Sequence, residues 1–388
     1  MFYLFTDINS EIERIKQAVF QLPDEDAAKG KLIEKLISLR LRKNELEGQT
    51  TLELEPSSFQ LETKLMYGHK FCLKDSSQTS ERYCEVCCNL VWGVIHSWYV
   101  CSYCSICCHD KCLNSLKRMC ASKRVAENSS YVKAICPDKG LSSQHYKCYE
   151  CQTPISYKNG GYEPRQCDFS GNYYCPSCHW NDEAIIPARV MCNWDFEPRP
   201  VSRASRQFLR LMYKKPVLTF KSSHSYLLKF VQELSEMRKL REEILMMKKY
   251  FISCQKALAD KLLLQLGNRP HFVENCDTYS MQDLVELVHE KLLPAVIRVH
   301  ANFSSHIKLD CPTCRGKGYY CEVCNVAEVI FPFDNICVSC PECFTVFHKY
   351  CFLKIDNICP KCERRKKREE ENNRKAELLK QIEETNSY

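Results

Sequence analysis

Twenty-nine of the 388 residues are cysteine, and nothing else in the chain constrains its fold as much. Ten cysteine pairs stand at i, i+3, where random placement would give roughly two. A Cys-x-x-Cys turn offers two thiolates to one ion from a tight knuckle, which suits a tetrahedral zinc. A secreted disulfide scaffold or a redox dithiol would use the same residues in another setting. The opening stretch, MFYLFTDINSEIERIK, turns acidic at once. It has no basic start, no long apolar core and no small-residue cleavage site, so no secretory signal is read. No run approaches the ~18 apolar residues of a membrane span. A soluble, intracellular chain is therefore expected, with zinc as its cofactor.

The charge balance narrows function further. Lysine and arginine total 55 against 48 aspartates and glutamates, and the two signs are interspersed. A nucleic-acid binder usually concentrates its basic residues, so none is expected as a partner. Residues 1–60 read as a helical segment. Ile8, Ile12, Ile15 and Val19 recur at helical spacing, as do Leu32, Leu36 and Leu39, with Asp24 placed to cap the second helix. Pro56, Ser57 and Ser58 mark a linker. Cys/His blocks follow at 69–120 and 136–179, then a Cys-poor helical stretch over about 184–308, then a last block at 311–362. Leu227, Phe230, Leu234 and Met237 are expected on one helix face, and Ser280 at a helix N-cap. The tail from 367 to 388 is so charged that a solvated helix or disorder is expected.

The first block presents eight ligands in order: His69, Cys84, Cys87, Cys101, Cys104, His109, Cys112 and Cys120. Two interleaved tetrahedral ions fit them. His69, Cys101, Cys104 and Cys120 would hold one, and Cys84, Cys87, His109 and Cys112 the other. Wrapping both chain ends around the first ion lets some fifty residues fold with little apolar core. This pattern, with NLVWGV at 89–94, resembles the phorbol-ester/diacylglycerol zinc finger over residues 66–121. Members that bind diacylglycerol carry a Pro and a Gln-Gly where this chain has Glu81, Ser97 and Trp98. The finger is thus atypical. A membrane-lipid contact stays open, but diacylglycerol is not expected as its ligand. Cys72, Cys88, Cys107 and Cys108 are surplus thiols.

In the second block, Cys148, Cys151, Cys175 and Cys178 make one four-sulfur site. Cys136, Cys167 and His179 would contribute to another with one ligand unaccounted for. The third block offers Cys311/Cys314, Cys321/Cys324, Cys340/Cys343, His348/Cys351 and Cys359/Cys362. Ten ligands make two complete sites and a half, so three to four ions are expected over 136–362, with connectivity open. The missing half is sought in the second block or at Cys337. Gly316 and Gly318, in CPTCRGKGYYCEVC, are expected to bring Cys321 beside Cys314. Four copies of Cys-x-x-Cys-x-Gly-x-Gly would mark a DnaJ-type chaperone; here there is one.

No nucleotide loop or serine elbow is visible. His179, Glu183, His289 and Glu290 read as ligands or helix-surface residues rather than as a base beside an open zinc. No enzyme is expected on these grounds. The rival is a RING-like ubiquitin ligase, because CPECFTVFHKYCFLKIDNICPKCERR follows the second half of a RING, with Pro360 and Arg364 where ligases touch a conjugating enzyme. The short spacing between the first two pairs of the block argues against it.

Motifs spread over 130–366 decide the rest. RQCDFSGNYYCPSCHWND, NWDFEPRPVS, FVQELSEMRKLREEIL, HFVEN, HIKLDCPTCRGKGYYCEVC and VFHKYC resemble the Rubicon-homology domain, a zinc module of autophagy and lysosome adaptors. The expected architecture is an α+β multi-zinc protein. It would comprise an N-terminal helical hairpin, a small β-rich two-zinc finger, and a helical domain clamped by zinc subdomains at both ends. The resemblance implies binding to the GTP-loaded late-endosomal Rab GTPase and partnership with pleckstrin-homology-family-M adaptors. It also implies a peripheral position on late endosomes and lysosomes.

Overall fold

The computed structural model describes residues 2–21, 27–50, 63–74, 82–91, 98–157, 162–220 and 225–385. Asp24, Pro56, Ser57, Ser58, Glu81, Trp92 and Ser97 lie outside them. The chain divides into two compact units, 1–190 with 195–213, and 191–194 with 214–388. Among the described residues no helix is long and apolar enough to cross a membrane.

The first unit opens with helices α1 (Phe2–Gln21) and α2 (Ala27–Thr50). Ile8, Ile12, Ile15 and Val19 of α1 are buried against Leu36, with Leu32, Ile33 and Leu39 at the margin. The 3.6-residue period places all of them on facing stripes. Next comes an antiparallel sheet of β1 (Thr63–Met66), β2 (His69–Lys74), β3 (Trp98–Cys101) and β4 (Cys107–His109), ordered as in sequence. Its register sets Phe71 opposite Cys101 and Trp98 opposite His109. The apolar core is small, and buried cysteines supply much of it.

Helix α3 (Ala121–Glu127) leaves the finger directly after Cys120. Two further hairpins follow, β5 (Arg165–Gln166) with β6 (Tyr173–Tyr174), and β7 (Asp182–Ala184) with β8 (Arg199–Val201). Helix α4 (Pro187–Asn193) lies between the last two strands. Helix α5 (Arg203–Met212) starts at Ser202, whose Oγ accepts the backbone N–H of Ser205. It packs against α3, with the Arg124 guanidinium 4.6 Å from the Phe208 ring. The finger and the second Cys block thus belong to one unit.

The second unit is mostly helical. Strand β9 (Leu218–Thr219) pairs with β10 (Thr278–Tyr279). Helices α6 (Ser225–Phe230), α7 (Gln232–Ile252) and α8 (Gln255–Ala259) replace the single long helix the periodicity suggests. The break falls at Val231, whose backbone is extended. It rotates Phe230 out to 84% exposure, while Leu227, Leu234 and Met237 stay buried as expected. Ile244 and Met247 of α7 are fully buried. So is Arg241, whose guanidinium lies 4.1 Å from the Phe272 ring and donates to the Thr278 carbonyl at 2.9 Å. Helix α9 (Met281–Val288) carries a capping box in which Ser280 and Asp283 satisfy each other's backbone N–H groups. Burial raises the Asp283 carboxyl, but hydrogen bonds from His271, Ser280 and Arg269 outweigh it and hold the group down at about 2.

Helix α10 (Leu292–Ser305) runs into a single π-helical turn at His306–Asp310. After the short α11 (Pro312–Arg315) come β11 (Cys337–Ser339) paired with β12 (Val346–His348), then α12 (Lys349–Leu353) and α13 (Pro360–Thr385). The charged tail is a helix with exposed side chains through Glu377.

Candidate metal centres

The ligand residues of the finger are brought together in the two interleaved sets that their spacing suggests. His69, Cys101, Cys104 and Cys120 place their donor atoms within 4.8 Å of one another, and so do Cys84, Cys87, His109 and Cys112. Strand pairing does the work. The β2–β3 and β3–β4 registers carry His69, Cys101 and His109, and each knuckle supplies a neighbouring pair. His69 Nδ1 lies 3.3 Å from Cys104 Sγ, and His109 Nδ1 lies 3.4 Å from Cys87 Sγ. The other nitrogen of each ring meets a carbonyl, that of Arg118 and that of Leu90, which orients the imidazole. Trp98 is packed into the sheet with the Arg82 guanidinium 5.2 Å from its ring.

A third group joins Cys148, Cys151, Cys175 and Cys178. Cys167 and His179 are not brought into it. The buried Cys167 thiol donates to Ser205 Oγ at 3.4 Å, and Cys136 donates to the Phe169 carbonyl. His179 Nδ1 accepts the backbone N–H of Asn181 at 3.1 Å. Burial, then the nearby Arg165 cation, push the His179 imidazole below its usual range. The other ring nitrogen of His179, Nε2, is buried with no hydrogen-bond partner among the described residues.

The last block resolves differently from the expected reversal. Cys311 and Cys314 do not join Cys321. They meet Cys254, the residue just before α8, and His306, at the end of α10. Cys254 Sγ is 3.6 Å from Cys311 Sγ and 3.6 Å from His306 Nε2. Neither residue stands in a Cys-x-x-Cys pair, so spacing carries no signal for them. Only the packing of α7 against α10, with Phe251 and Phe303 at 4.9 Å, brings them together. Burial, with Lys256 adding to it, lowers the His306 imidazole and so favours the neutral form, the one that ligates a metal.

Cys321, Cys324, His348 and Cys351 form a fifth group. Cys340 and Cys343 stand with Cys362 and Cys359, at 3.7 Å and 3.5 Å. The two sets alternate along the chain in a cross-brace. Gly318 serves this fold, since a Cβ there would come within 2.2 Å of Val329 Cγ1 and 3.1 Å of the Phe331 ring. It lets Tyr319 pair with Ile330. Cys337 is buried beside the ligands but belongs to neither set.

These donor sets fit zinc. Two sulfurs about 2.3 Å from one tetrahedral ion lie about 3.8 Å apart. The Cys101–Cys120 and Cys340–Cys362 separations are 4.0 and 3.7 Å, far beyond the ~2.05 Å of a disulfide. Burial raises the Cys321 and Cys343 thiols, but hydrogen bonds from neighbouring backbone and side chains outweigh it, and both fall to about 6.

A buried ion network ties the finger to the second Cys block. Glu85, in the Cys84–Cys87 knuckle, takes Arg118 at 2.8 Å, Gln207 at 3.2 Å and also Arg203. Arg118 pairs in addition with Glu150. Arg203 is 3% exposed, donates to the Ser177 carbonyl at 2.8 Å, and stacks 3.5 Å from the Trp180 ring.

Residues 165–367 match the Rubicon Homology Domain. A Drosophila melanogaster protein, "Differentially expressed in FDCP 8 homolog", is 42% identical over 283 residues, covering 73% of this chain and 57% of the relative. Its Caenorhabditis elegans counterpart is 36% identical over 345 residues, covering 87% and 70%. Human pleckstrin homology domain-containing family M member 3 is 33% identical over 248 residues, covering 63% and 32%. The chain thus spans little more than half the length of the fly relative.

Proposed function

The chain belongs to the Rubicon-homology-domain family, and from that premise we propose that it is a non-enzymatic, zinc-built adaptor for a membrane-traffic GTPase. In this reading it binds the GTP-loaded late-endosomal Rab GTPase and acts with pleckstrin-homology-family-M adaptors. It serves lysosome positioning, vesicle traffic and secretion from a peripheral place on late endosomes and lysosomes. Two zinc ions sit in the finger and four beyond it.

The observation that carries the non-enzymatic part is ligand saturation. Each group supplies four protein donors, as structural zinc sites do, and leaves no position for a reacting water. The metal then works by holding surfaces in place. A surface of fixed shape can read switch segments that are ordered only when the GTPase holds its γ-phosphate.

The test is binding of the zinc-loaded full chain to that Rab, loaded with a GTP analogue or with GDP. Binding to the GTP form alone supports the reading, and equal or no binding to both forms sinks it. A fragment cut at residue 130 is the wrong reagent, because it strips Arg203 of its Glu85 partner.

One observation keeps the ubiquitin-ligase reading as a second. With Cys311 and Cys314 assigned elsewhere, the remaining eight ligands run from Cys321 to Cys362 in a cross-brace, and the spacing objection no longer applies. Arg364 is held by Glu322 at 2.8 Å beside the last knuckle. Autoubiquitination with a panel of conjugating enzymes, lost on changing Pro360 or Arg364, would establish it. A full panel without product removes it.

A further inference from the structure

Within the second unit, a cleft of about 450 Å³ opens between α7, the hairpin after Cys314 and the Cys340–Cys343 knuckle. Met246, Tyr250, Tyr319 and Phe344 give it an apolar lining, and Lys249 and Lys317 stand in its walls. We propose that this cleft is a docking site for an acidic segment of a partner protein that carries one bulky apolar side chain.

Phe344 is the first reason. In five knuckles the residue after the second cysteine takes a left-handed backbone. At four of them it is Cys88, Ser105, Gln152 or Asn325, with φ between 52° and 62°. At the fifth it is Phe344, with φ of 57°. Bulky L side chains adopt that region at a cost, and asparagine is among the residues that tolerate it best. Phe344 is also 68% exposed, so it recovers little of that cost by burial. A strained, exposed aromatic that contributes little to folding is accounted for by something it binds.

Charge is the second reason. The Lys249 ammonium lies 6.0 Å from the Phe344 ring centroid, and Lys317 donates to Ser253 Oγ at 2.7 Å. Among the described residues neither has a carboxylate partner, and no acidic side chain lines the cleft. The carboxylates nearby in sequence are committed elsewhere. Glu243 lies 2.7 Å from His300, Glu342 lies 3.9 Å from Lys366, and Asp334 pairs with Lys308. Two cations in the lining of an aromatic trough match carboxylates spaced along an extended segment that also carries an apolar anchor. Its concave form suits a chain segment better than a lipid surface.

The proposal does not depend on the GTPase reading, and its test omits the GTPase. The zinc-loaded full chain is used to select from a random peptide library displayed on phage. Enriched peptides are expected to be acidic around an aromatic or large aliphatic residue, and to weaken as salt rises. Their affinity should fall roughly tenfold or more in Lys249→Glu and Lys317→Glu, and persist in Lys249→Arg and Lys317→Arg. Phe344→Gly separates binding from folding. It should lose the peptide while melting no lower than the parent protein, because the strain is gone. No enrichment, enrichment of neutral or basic peptides, or affinity indifferent to the two charge reversals would overturn the proposal. So would a Phe344→Gly variant that binds unchanged.

Discussion

The finger and the Cys254 group use the same chemistry but assemble it in opposite ways. In the finger, paired short strands and their knuckles deliver six of the eight ligands, and Cys112 and Cys120 follow on a short helical turn and at the start of a short helix. In the second unit, Cys254 and His306 stand 52 positions apart, at the ends of two long elements, and meet because those elements pack through aromatic rings. The difference teaches where zinc substitutes for a core and where it depends on one. The finger has little apolar interior, so metal held by its two Cys/His groups would carry the fold. The Cys254 group closes a helical unit whose buried Leu234, Met237, Ile244 and Met247 already define it.

The largest effect should come from breaking that contrast at the ligands. Cys254→Ser is expected to lose about one zinc per chain and the cooperative melt of the second unit, while finger zinc stays bound. Structural zinc contributes on the order of 10 kcal/mol, well above what a unit of this size holds in reserve. Metal content by mass spectrometry and the thermal transition check it, and an unchanged zinc count would remove Cys254 and His306 from the ligand set.

Next in size is the network that holds the finger on its neighbour. Arg203→Ala leaves Glu85 short of a buried partner and should cost about 3 kcal/mol. Replacing both by glutamine should cost less, because no charge is then left unpaired. Urea unfolding followed at Trp180 distinguishes the two variants. Equal losses would mean that the finger docks through α3 and α5 alone.

The smallest effect concerns the residues left out of the groups. Cys167→Ser and His179→Gln should leave zinc content unchanged and shift stability by about 1 kcal/mol. Loss of an ion in either would reinstate a further site in the second block.

Sequence alone carried the finger's two ligand sets, the four-sulfur group at Cys148–Cys178 and the helical faces of α1 and α2. Their signals are local. A knuckle is four residues long, and an amphipathic stripe repeats every turn. It also carried the family, through motifs in fixed order. Tertiary structure decided what lone residues do. Cys254 and His306 look like any other buried cysteine and histidine until α7 and α10 pack. Cys167 and His179 stand apart from the Cys148–Cys178 group, with Cys167 on Ser205 and His179 on the Asn181 backbone, contacts that no spacing reports. The partner of Cys321 was likewise a matter of packing, since it meets His348 rather than Cys314, and Gly318 permits the close approach to Val329 and Phe331 beside it. A metal site is an equilibrium among donors in space, and the order of cysteines in a chain reports that space only where the backbone between them is short.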